Sequence, residues 1–329
     1  MGMNWLITGG CGFIGVNLIR KILSNPNSSV RVYDNLTVGS RDDLNAVCSF
    51  SEVLANEASW AEGAVELIKG DILDEKLIEA ASKEADVIVH LAANTGVGPS
   101  VENPREDCSN NVMGILNVLE AARANDVNRF VFASSGAPVG ECEPPIHEKK
   151  VPRPVSPYGA SKLAGEGYCS AYYQTFKIDT VALRFGNVYG PYSLNKASVV
   201  AKFIKQARDG ESLEIYGNGQ QTRDFIYVED LVEAILKAAE LKGIGGEIFQ
   251  IATNRESSLL ELMEELKPVI EQMTGDEVNI IHGDARLGDV MRNFSDTTKA
   301  KDQLGWVAKT ELKEGLFKTS QWFETQLAK

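Results

Sequence analysis

The chain has 329 residues, with 33 Lys plus Arg against 46 Asp plus Glu and a formal net charge of -13. Hydrophobic residues make up 43% and charged residues 24%, which is enough apolar side chain for a buried core and far from the composition of disordered chains. The acidic balance excludes a basic face for a nucleic-acid polymer or an anionic membrane, but not a small anion held at one point. Cys11, Cys48, Cys108, Cys142 and Cys169 stand far apart with no C-x-x-C spacing, and His90, His147 and His282 form no ligand cluster. No disulfide framework and no metal site are therefore expected. Scattered thiols, no cleavable signal pattern and no apolar run of about 18 residues give the expectation of a cytoplasmic protein without a membrane span.

Apolar runs alternate with helical patterns through the first half, the signature of βαβ units and a doubly wound parallel Rossmann sheet in an α/β fold. The strands fall at Asn4-Thr8, Val30-Tyr33, Val65-Lys69, Val87-His90, Phe130-Ala133 and Thr180-Phe185, each short and rich in Val, Ile, Leu or Phe, as strands buried on both faces are. Helices are predicted over Phe13-Leu23, Val112-Ala124 and Pro157-Phe176. Beyond about Gly186 the rhythm breaks into Gly-, Pro- and Asn-containing loops, so residues 1-185 read as the cofactor domain and 186-329 as a smaller C-terminal lobe, with some chain returning to the core. The polar, acidic stretch 42-63 reads as an inserted surface helix pair.

Thr8-Gly9-Gly10-Cys11-Gly12-Phe13-Ile14-Gly15 sits where the first strand gives way to a helix. Glycines at this G-x-x-G-x-x-G spacing permit a tight turn, let backbone N–H groups near a pyrophosphate, and bring the helix close to the sheet. A purely structural turn is the alternative. Asp34 ends the second strand, followed by Asn35 and Leu36, and a carboxylate there accepts both ribose hydroxyls of an adenosine. It also repels a 2′-phosphate, and no Arg immediately follows, so NAD is expected over NADP. Asp71-Ile72, Leu91-Ala92-Ala93 and Phe185 end strands at the same edge and join the expected cofactor site. For Asp71, a helix N-cap is the competing reading.

Tyr158 and Lys162 stand one helical turn apart on one helix face. Bringing a phenol from a pKa of about 10 to about 7 requires roughly 4 kcal/mol. A cation about 5 Å away at an effective dielectric near 20 supplies about 3 kcal/mol, so Lys162 next to an oxidised nicotinamide suffices. A solvated Tyr-Lys pair is the bland alternative. Ser134-Ser135-Gly136 follow the fifth strand, at the edge where ligands of doubly wound folds sit.

With these parts in place, the chain resembles the extended short-chain dehydrogenase/reductase family, and within it the nucleotide-sugar epimerases and dehydratases. The likeness covers nearly the whole chain: Thr8 to Gly15, Asp34-Asn35-Leu36, Gly70-Asp71-Ile72, His90 to Ala93, Asn110-Asn111-Val112, Ser134-Ser135, Ser156 to Lys162, Arg184 to Pro191, Arg223 to Val228 and Leu304-Gly305-Trp306. The resemblance implies that Tyr158 is the base, that Lys162 holds the nicotinamide ribose, and that Ser135 bonds the sugar hydroxyl being oxidised. Ser135 is preferred to Ser134 because the family's catalytic Ser or Thr stands five residues before a Gly, here Gly140.

Family dehydratases follow the catalytic Thr with an Asp-Glu pair, and decarboxylating members place a Glu at the second position. Here the two residues are Gly136 and Ala137, which transfer no proton, so the reading is 4-epimerisation of a UDP-type sugar. A dehydratase or decarboxylase with relocated catalysts and a non-catalytic NAD-sensing module are the alternatives. One departure is Pro138-Val139-Gly140 in place of the family's Val-Tyr-Gly, which implies an altered sugar pocket. By the same resemblance Arg223 and Arg286 hold the substrate's phosphates, with salt bridges to Asp224 or Asp289 as the bland reading. Asn187 contacts the diphosphate or sugar, and Tyr216 lies by the nucleobase or else packs in the core. Ser100 faces the sugar. Asn293, four residues after Asp289, is intermediate in size and leans toward tolerance of N-acetyl groups. A homodimer is implied, while His90 reads as a core histidine.

Overall fold

The computed structural model describes residues 2–193, 198–284 and 290–327. Its largest element is an eight-stranded sheet. In chain order its strands are β1 (Asn4–Thr8), β2 (Ser29–Asp34), β3 (Ser51–Glu52), β4 (Val65–Lys69), β5 (Val87–His90), β6 (Arg129–Ser135) and β7 (Asp179–Phe185), with the strand Glu247–Ile251 beside β7. The spatial order from that last strand is β7-β6-β5-β1-β2-β4-β3, and every pairing from β7 to β3 is parallel. This is the doubly wound α/β fold. The order reverses direction at β1, where β2 lies on one side and β5 on the other, and ligands of such sheets bind at that point.

The helices that cover this sheet are α1 (Phe13–Ile22), α2 (Arg41–Asn45), α3 (Glu75–Ala81), α4 (Val97–Glu102), α5 (Pro104–Cys108), α6 (Gly114–Ala124) and α7 (Pro157–Phe176). Leu6, Tyr33, Ile88, Phe130 and Phe132 from the sheet pack with Ile78, Ile115, Val118, Leu119 and Tyr172 from α3, α6 and α7. Helix α7 starts where Ser156 accepts a hydrogen bond from Gly159 N–H with Pro157 in the first turn, and it ends at Lys177 in the left-handed region, φ 63°; both are ordinary helix boundaries.

Two expectations change. Residues 109–113, placed partly in a helix beginning at Val112, form a turn of π-helix ahead of α6. The stretch 42–63 is no helix pair. It holds only α2 and β3, and β3 extends the sheet beside β4. Arg41 forks onto Glu52 at 2.6 and 2.7 Å, and the Trp60 indole donates to the Lys83 carbonyl while stacking 3.9 Å from the Arg31 guanidinium. The segment is tied down by side chains distant in sequence, a contact that no local periodicity encodes.

The chain divides into two compact units. The first comprises Met1–Glu141, Glu148–Phe185 and Val232–Phe249, and the second Cys142–His147, Gly186–Leu231 and Gln250–Lys329. The expected division after 185 coincides with one crossing, and two further short segments change unit. The second unit has its own core, including Tyr189, Phe203, Leu213, Phe225, Leu262, Leu266, Leu316 and Phe323. Its strands pair in twos: Leu213–Tyr216 with Ile280–Gly283, Asn187–Tyr189 with Phe225–Tyr227, and Thr222–Arg223 with Ser257–Ser258.

Candidate active site

The glycine loop opens at the C-terminal end of β1. Gly9 has φ +70°, and a Cβ there would lie 2.7 Å from the Ala92 nitrogen, so any side chain would push the loop off the end of β5. A Cβ on Gly15 would lie 2.5 Å from the Gly10 carbonyl oxygen, so close approach of α1 to the loop also requires glycine. Helix α1 has Gly12 at its N-cap, with no side-chain cap and no acidic residue in its first turn. A helix N-terminus of that kind carries positive dipole charge and suits a phosphate. At the end of β2, the two oxygens of Asp34 accept from Cys11 N–H at 2.9 Å and Leu36 N–H at 2.8 Å. An ionised carboxylate offers about four acceptor sites, so acceptor capacity for two hydroxyls remains. Burial pushes its pKa up, and the two backbone bonds oppose that.

Around this corner, Asp71 closes a turn onto Leu73 N–H at 2.9 Å and accepts from the Asn35 amide at 3.0 Å. The N-cap of α3 is Asp74, which accepts from Leu77 N–H, so that competing role does not belong to Asp71. Ile72 is buried and fills the space beside Gly114, where a Cβ would lie 2.4 Å from its Cδ1. Leu91, Ala92 and Ala93 are half-buried just past β5, with Leu91 N–H bonded to the Thr8 carbonyl at 3.1 Å. Phe185, half-buried, pairs in register with Ser135.

Ser135, Tyr158 and Lys162 come together at the same sheet edge. The Ser135 hydroxyl bonds the Tyr158 phenol. Lys162 is buried, with its ammonium donating to the Ala133 carbonyl at 2.9 Å and lying 5.9 Å from the centre of the Tyr158 ring. In the chain by itself, burial pushes the phenol up to about 12 against the Ser135 bond, and it draws Lys162 down to about 8 against the pull of Asp107 and Glu166. Ser134 is engaged elsewhere, being 3% exposed and donating to Glu166 at 2.6 Å. Its neighbour is the half-buried one, facing Tyr158.

A family model described as the NAD dependent epimerase/dehydratase family matches residues 5–252. The chain belongs to that family. A putative UDP-glucose 4-epimerase of Methanocaldococcus jannaschii is 37% identical over 324 residues, covering 97% of this chain and 98% of that protein. The crystal structure of a UDP-glucose 4-epimerase of Thermotoga maritima with UDP-glucose superimposes with a TM-score of 0.87 at 34% identity, covering 99% of this chain and all of that one. A bovine dTDP-D-glucose 4,6-dehydratase is 31% identical over 326 residues, covering 97% of this chain and 88% of that protein.

The two residues after Ser135 are Gly136 and Ala137. Ala137 begins a short 3-10 turn to Val139, and its N–H bonds the Ser135 hydroxyl oxygen at 3.2 Å. A Cβ on Gly136 would meet nothing within 4 Å, so the position is glycine without any packing demand for it. No proton-transferring side chain occupies either position.

The sequence alone assigns no role to several supporting groups, although Asn111 and Arg184 lie in segments that carry the resemblance. Glu166 and Arg184, 2% and 1% exposed, form a buried two-pronged pair with both bonds at 2.7 Å. Asn111, in the π-helical turn, donates to Asp107 at 2.9 Å, to the Asn94 carbonyl at 2.9 Å and to the Ser161 hydroxyl at 3.2 Å, and accepts from Asn94 N–H at 2.8 Å. The four-residue spacings Asp107 to Asn111 and Lys162 to Glu166 are the available signal, since such residues share a helix face. His90 is a satisfied core histidine: its Nδ1 is 2.7 Å from the Thr8 hydroxyl, and burial, with Lys162 adding, pulls it down to about 3.

In the second unit, Asn187 is exposed, with its N–H on the Asp224 carbonyl at 2.8 Å. Tyr216 is half-buried, and Lys202 lies 3.3 Å from its hydroxyl and 4.6 Å from its ring centre. Arg223 donates to the Thr222 and Val290 carbonyls at 2.7 Å. Asp224, the candidate salt-bridge partner, accepts from Thr253, Asn254 and Ser295. Asn293 is half-buried, its N–H on the Thr222 hydroxyl at 3.3 Å. Ser100, in the first unit, is 2% exposed and donates to the Val97 carbonyl of its own helix at 2.7 Å. Arg286 and Asp289 lie outside the described residues.

Proposed function

We propose that the protein is an NAD-dependent 4-epimerase of a nucleotide sugar, with UDP as the nucleotide. The single observation that carries this is an intact Ser135-Tyr158-Lys162 set with Gly136 and Ala137 where a second acid-base pair would stand. Its family and the UDP-glucose 4-epimerases it resembles along nearly their whole length support the reading. Among described residues no helix is long and apolar enough to cross a membrane.

The cofactor is held by Gly9, the turn Gly12-Phe13-Ile14-Gly15, Asp34-Asn35-Leu36, Asp71, Ile72, Leu91-Ala92-Ala93 and Phe185. NAD bound there would supply a reversible hydride acceptor for the sugar's C4. The chain's own groups handle the proton. Ser135 hydrogen-bonds the 4-hydroxyl and orients it, the Tyr158 oxygen takes its proton, and once the 4-keto sugar has turned over to present its other face the phenol returns the proton to the same sugar oxygen. Lys162 keeps positive charge beside the phenolate, and its bond to the Ala133 carbonyl fixes where that charge sits. The substrate's phosphates fall to Arg223 and Arg286, whose guanidinium forks match phosphate oxygens. Asn187, Tyr216, Ser100, Asp289 and Asn293 complete the proposed nucleotide and sugar contacts, and Asn293 favours tolerance of a 2-acetamido group. The working protein is a cytoplasmic homodimer in this reading, an assembly that sedimentation equilibrium checks.

The test incubates purified protein with UDP-glucose, UDP-N-acetylglucosamine and UDP-glucuronate, and resolves the 4-epimers by chromatography. Interconversion of at least one pair is expected, and Tyr158→Phe should abolish it while leaving bound NAD in place. A 4-keto-6-deoxy product, or turnover that survives Tyr158→Phe, would overturn the proposal.

A further inference from the structure

Behind the Tyr158 and Lys162 pair lies a second carboxylate that the reaction does not consume. Asp107 sits near the C-terminal end of α5, is 3% exposed, and accepts from the Asn111 amide at 2.9 Å. The same amide reaches the Ser161 hydroxyl, which donates to the Tyr158 carbonyl at 3.0 Å. An unbroken chain of hydrogen bonds therefore runs from Asp107 to the backbone of the base. Burying a carboxylate is costly unless it is paired or bonded, and among the described residues no Arg or Lys contacts this one directly. Its charge acts on the buried ammonium of Lys162.

We propose that Asp107 is a positioning residue for the Tyr158 and Lys162 pair: it anchors the Asn111-Ser161 link to the backbone of the base and supplies countercharge for the buried Lys162 ammonium. The inference rests on the epimerase reading and adds to it. The charged and titratable groups around Lys162 are few. Helix α7 brings Tyr158 and Glu166, β5 brings neutral His90, α5 brings Asp107, and β6 contributes the Ala133 carbonyl and the Phe132 ring. Glu166 is engaged by Arg184 of β7, so its charge is largely neutralised locally. Asp107 is the carboxylate left to balance the ammonium, and it comes first among the groups that oppose the effect of burial on Lys162. The same negative charge also holds the Tyr158 phenol up. Removing it moves both groups the same way, so each should titrate at lower pH.

The pH profile of kcat for epimerisation, measured on the NAD-loaded enzyme, tests this with Asp107→Asn and Asp107→Ser; two substitutions are made so that one misfolded variant does not end the experiment. Thermal unfolding of each gives the folded fraction. Both limbs of the bell are expected to move to lower pH by about one unit, so that above the wild-type optimum the variants lose roughly tenfold, and Asp107→Glu should restore the wild-type limbs. A second measurement needs no turnover: phenolate absorbance is titrated in each variant and corrected with the same variant carrying Tyr158→Phe. The Tyr158 midpoint should fall in Asp107→Asn and return in Asp107→Glu. Lower activity with unmoved limbs and an unmoved phenol midpoint would reduce Asp107 to a packing role and overturn the proposal. If the wild type epimerises no sugar while the phenol midpoint still moves, the functional reading fails and the electrostatic coupling stands.

Discussion

The Glu166-Arg184 pair offers the strongest stability test in the molecule. Glu166 accepts from Arg184 Nε and Nη2 at 2.7 Å each and from the Ser134 hydroxyl at 2.6 Å, all within a region where both charged side chains are no more than 2% exposed. Replacing it by Leu removes both acceptors of a guanidinium whose Nη1 is already buried without a partner. Two lost bonds to charged groups at about 1.5–3 kcal/mol each give about 3–6 kcal/mol, in line with the roughly 3–5 kcal/mol found when one partner of a buried pair is removed. Arg184→Met should cost a little less, because the carboxylate keeps Ser134. The double variant Glu166→Leu/Arg184→Met should lie within about 2 kcal/mol of wild type, since neither charge of the pair is then left buried without the other and only the Ser134 hydroxyl goes unpaired. Urea unfolding, followed by circular dichroism and by the fluorescence of Trp5 and Trp60 in the first unit with the other tryptophans replaced, measures the three differences. Single-variant costs below about 1 kcal/mol, or a double-variant cost equal to the sum of the singles, would refute the account.

Two further outcomes are expected. Gly9→Ala should lose bound NAD by more than tenfold, measured as nucleotide released on denaturation, because the added Cβ lies 2.7 Å from Ala92 N and the residue has φ +70°; full NAD content would contradict the loop's role. For His90 the folded pKa is about 3 against an ordinary value of 6.5. The unfolded chain therefore binds a proton below about pH 6.5 that the folded chain refuses, so the contribution to stability is present above that pH and is lost as pH falls toward 3. Between about pH 7.5 and about pH 5 the loss is about 2 kcal/mol. The urea midpoint should fall accordingly, and less steeply in His90→Gln; an identical slope in that variant would place the pH sensitivity elsewhere.

Much of this architecture is local and therefore legible in residue order. Six strands of the main sheet show as short apolar runs because both faces are buried, and the glycine loop shows because a turn against β5 tolerates no Cβ at Gly9. The family resemblance favours Ser135 over Ser134, and in the structure the Ser134 hydroxyl is bonded to Glu166. The segment 42–63 defeats a local reading, because its form depends on Glu52 meeting Arg41 and on Trp60 meeting Arg31 and Lys83, contacts with no period. The strand Glu247–Ile251 is hidden for a related reason: it joins β7 across more than sixty positions of chain, and its own pattern is short.

The sequence by itself determined the class of fold, from residue type and spacing along each strand and turn, and it singled out the candidate cofactor corner and reacting groups through the family resemblance that their motifs carry. The expectation of no polyanion-binding face rests on composition alone. Only the tertiary structure decided what stands behind those groups: that Asp107, Asn111 and Ser161 form one chain to the base, that Glu166 is matched by Arg184, and that burial in the unloaded chain pushes Tyr158 up and Lys162 down. Charge interactions and desolvation depend on distance and burial in three dimensions, and these are set by how α5, α7 and the sheet pack together rather than by how far apart their residues lie in the chain.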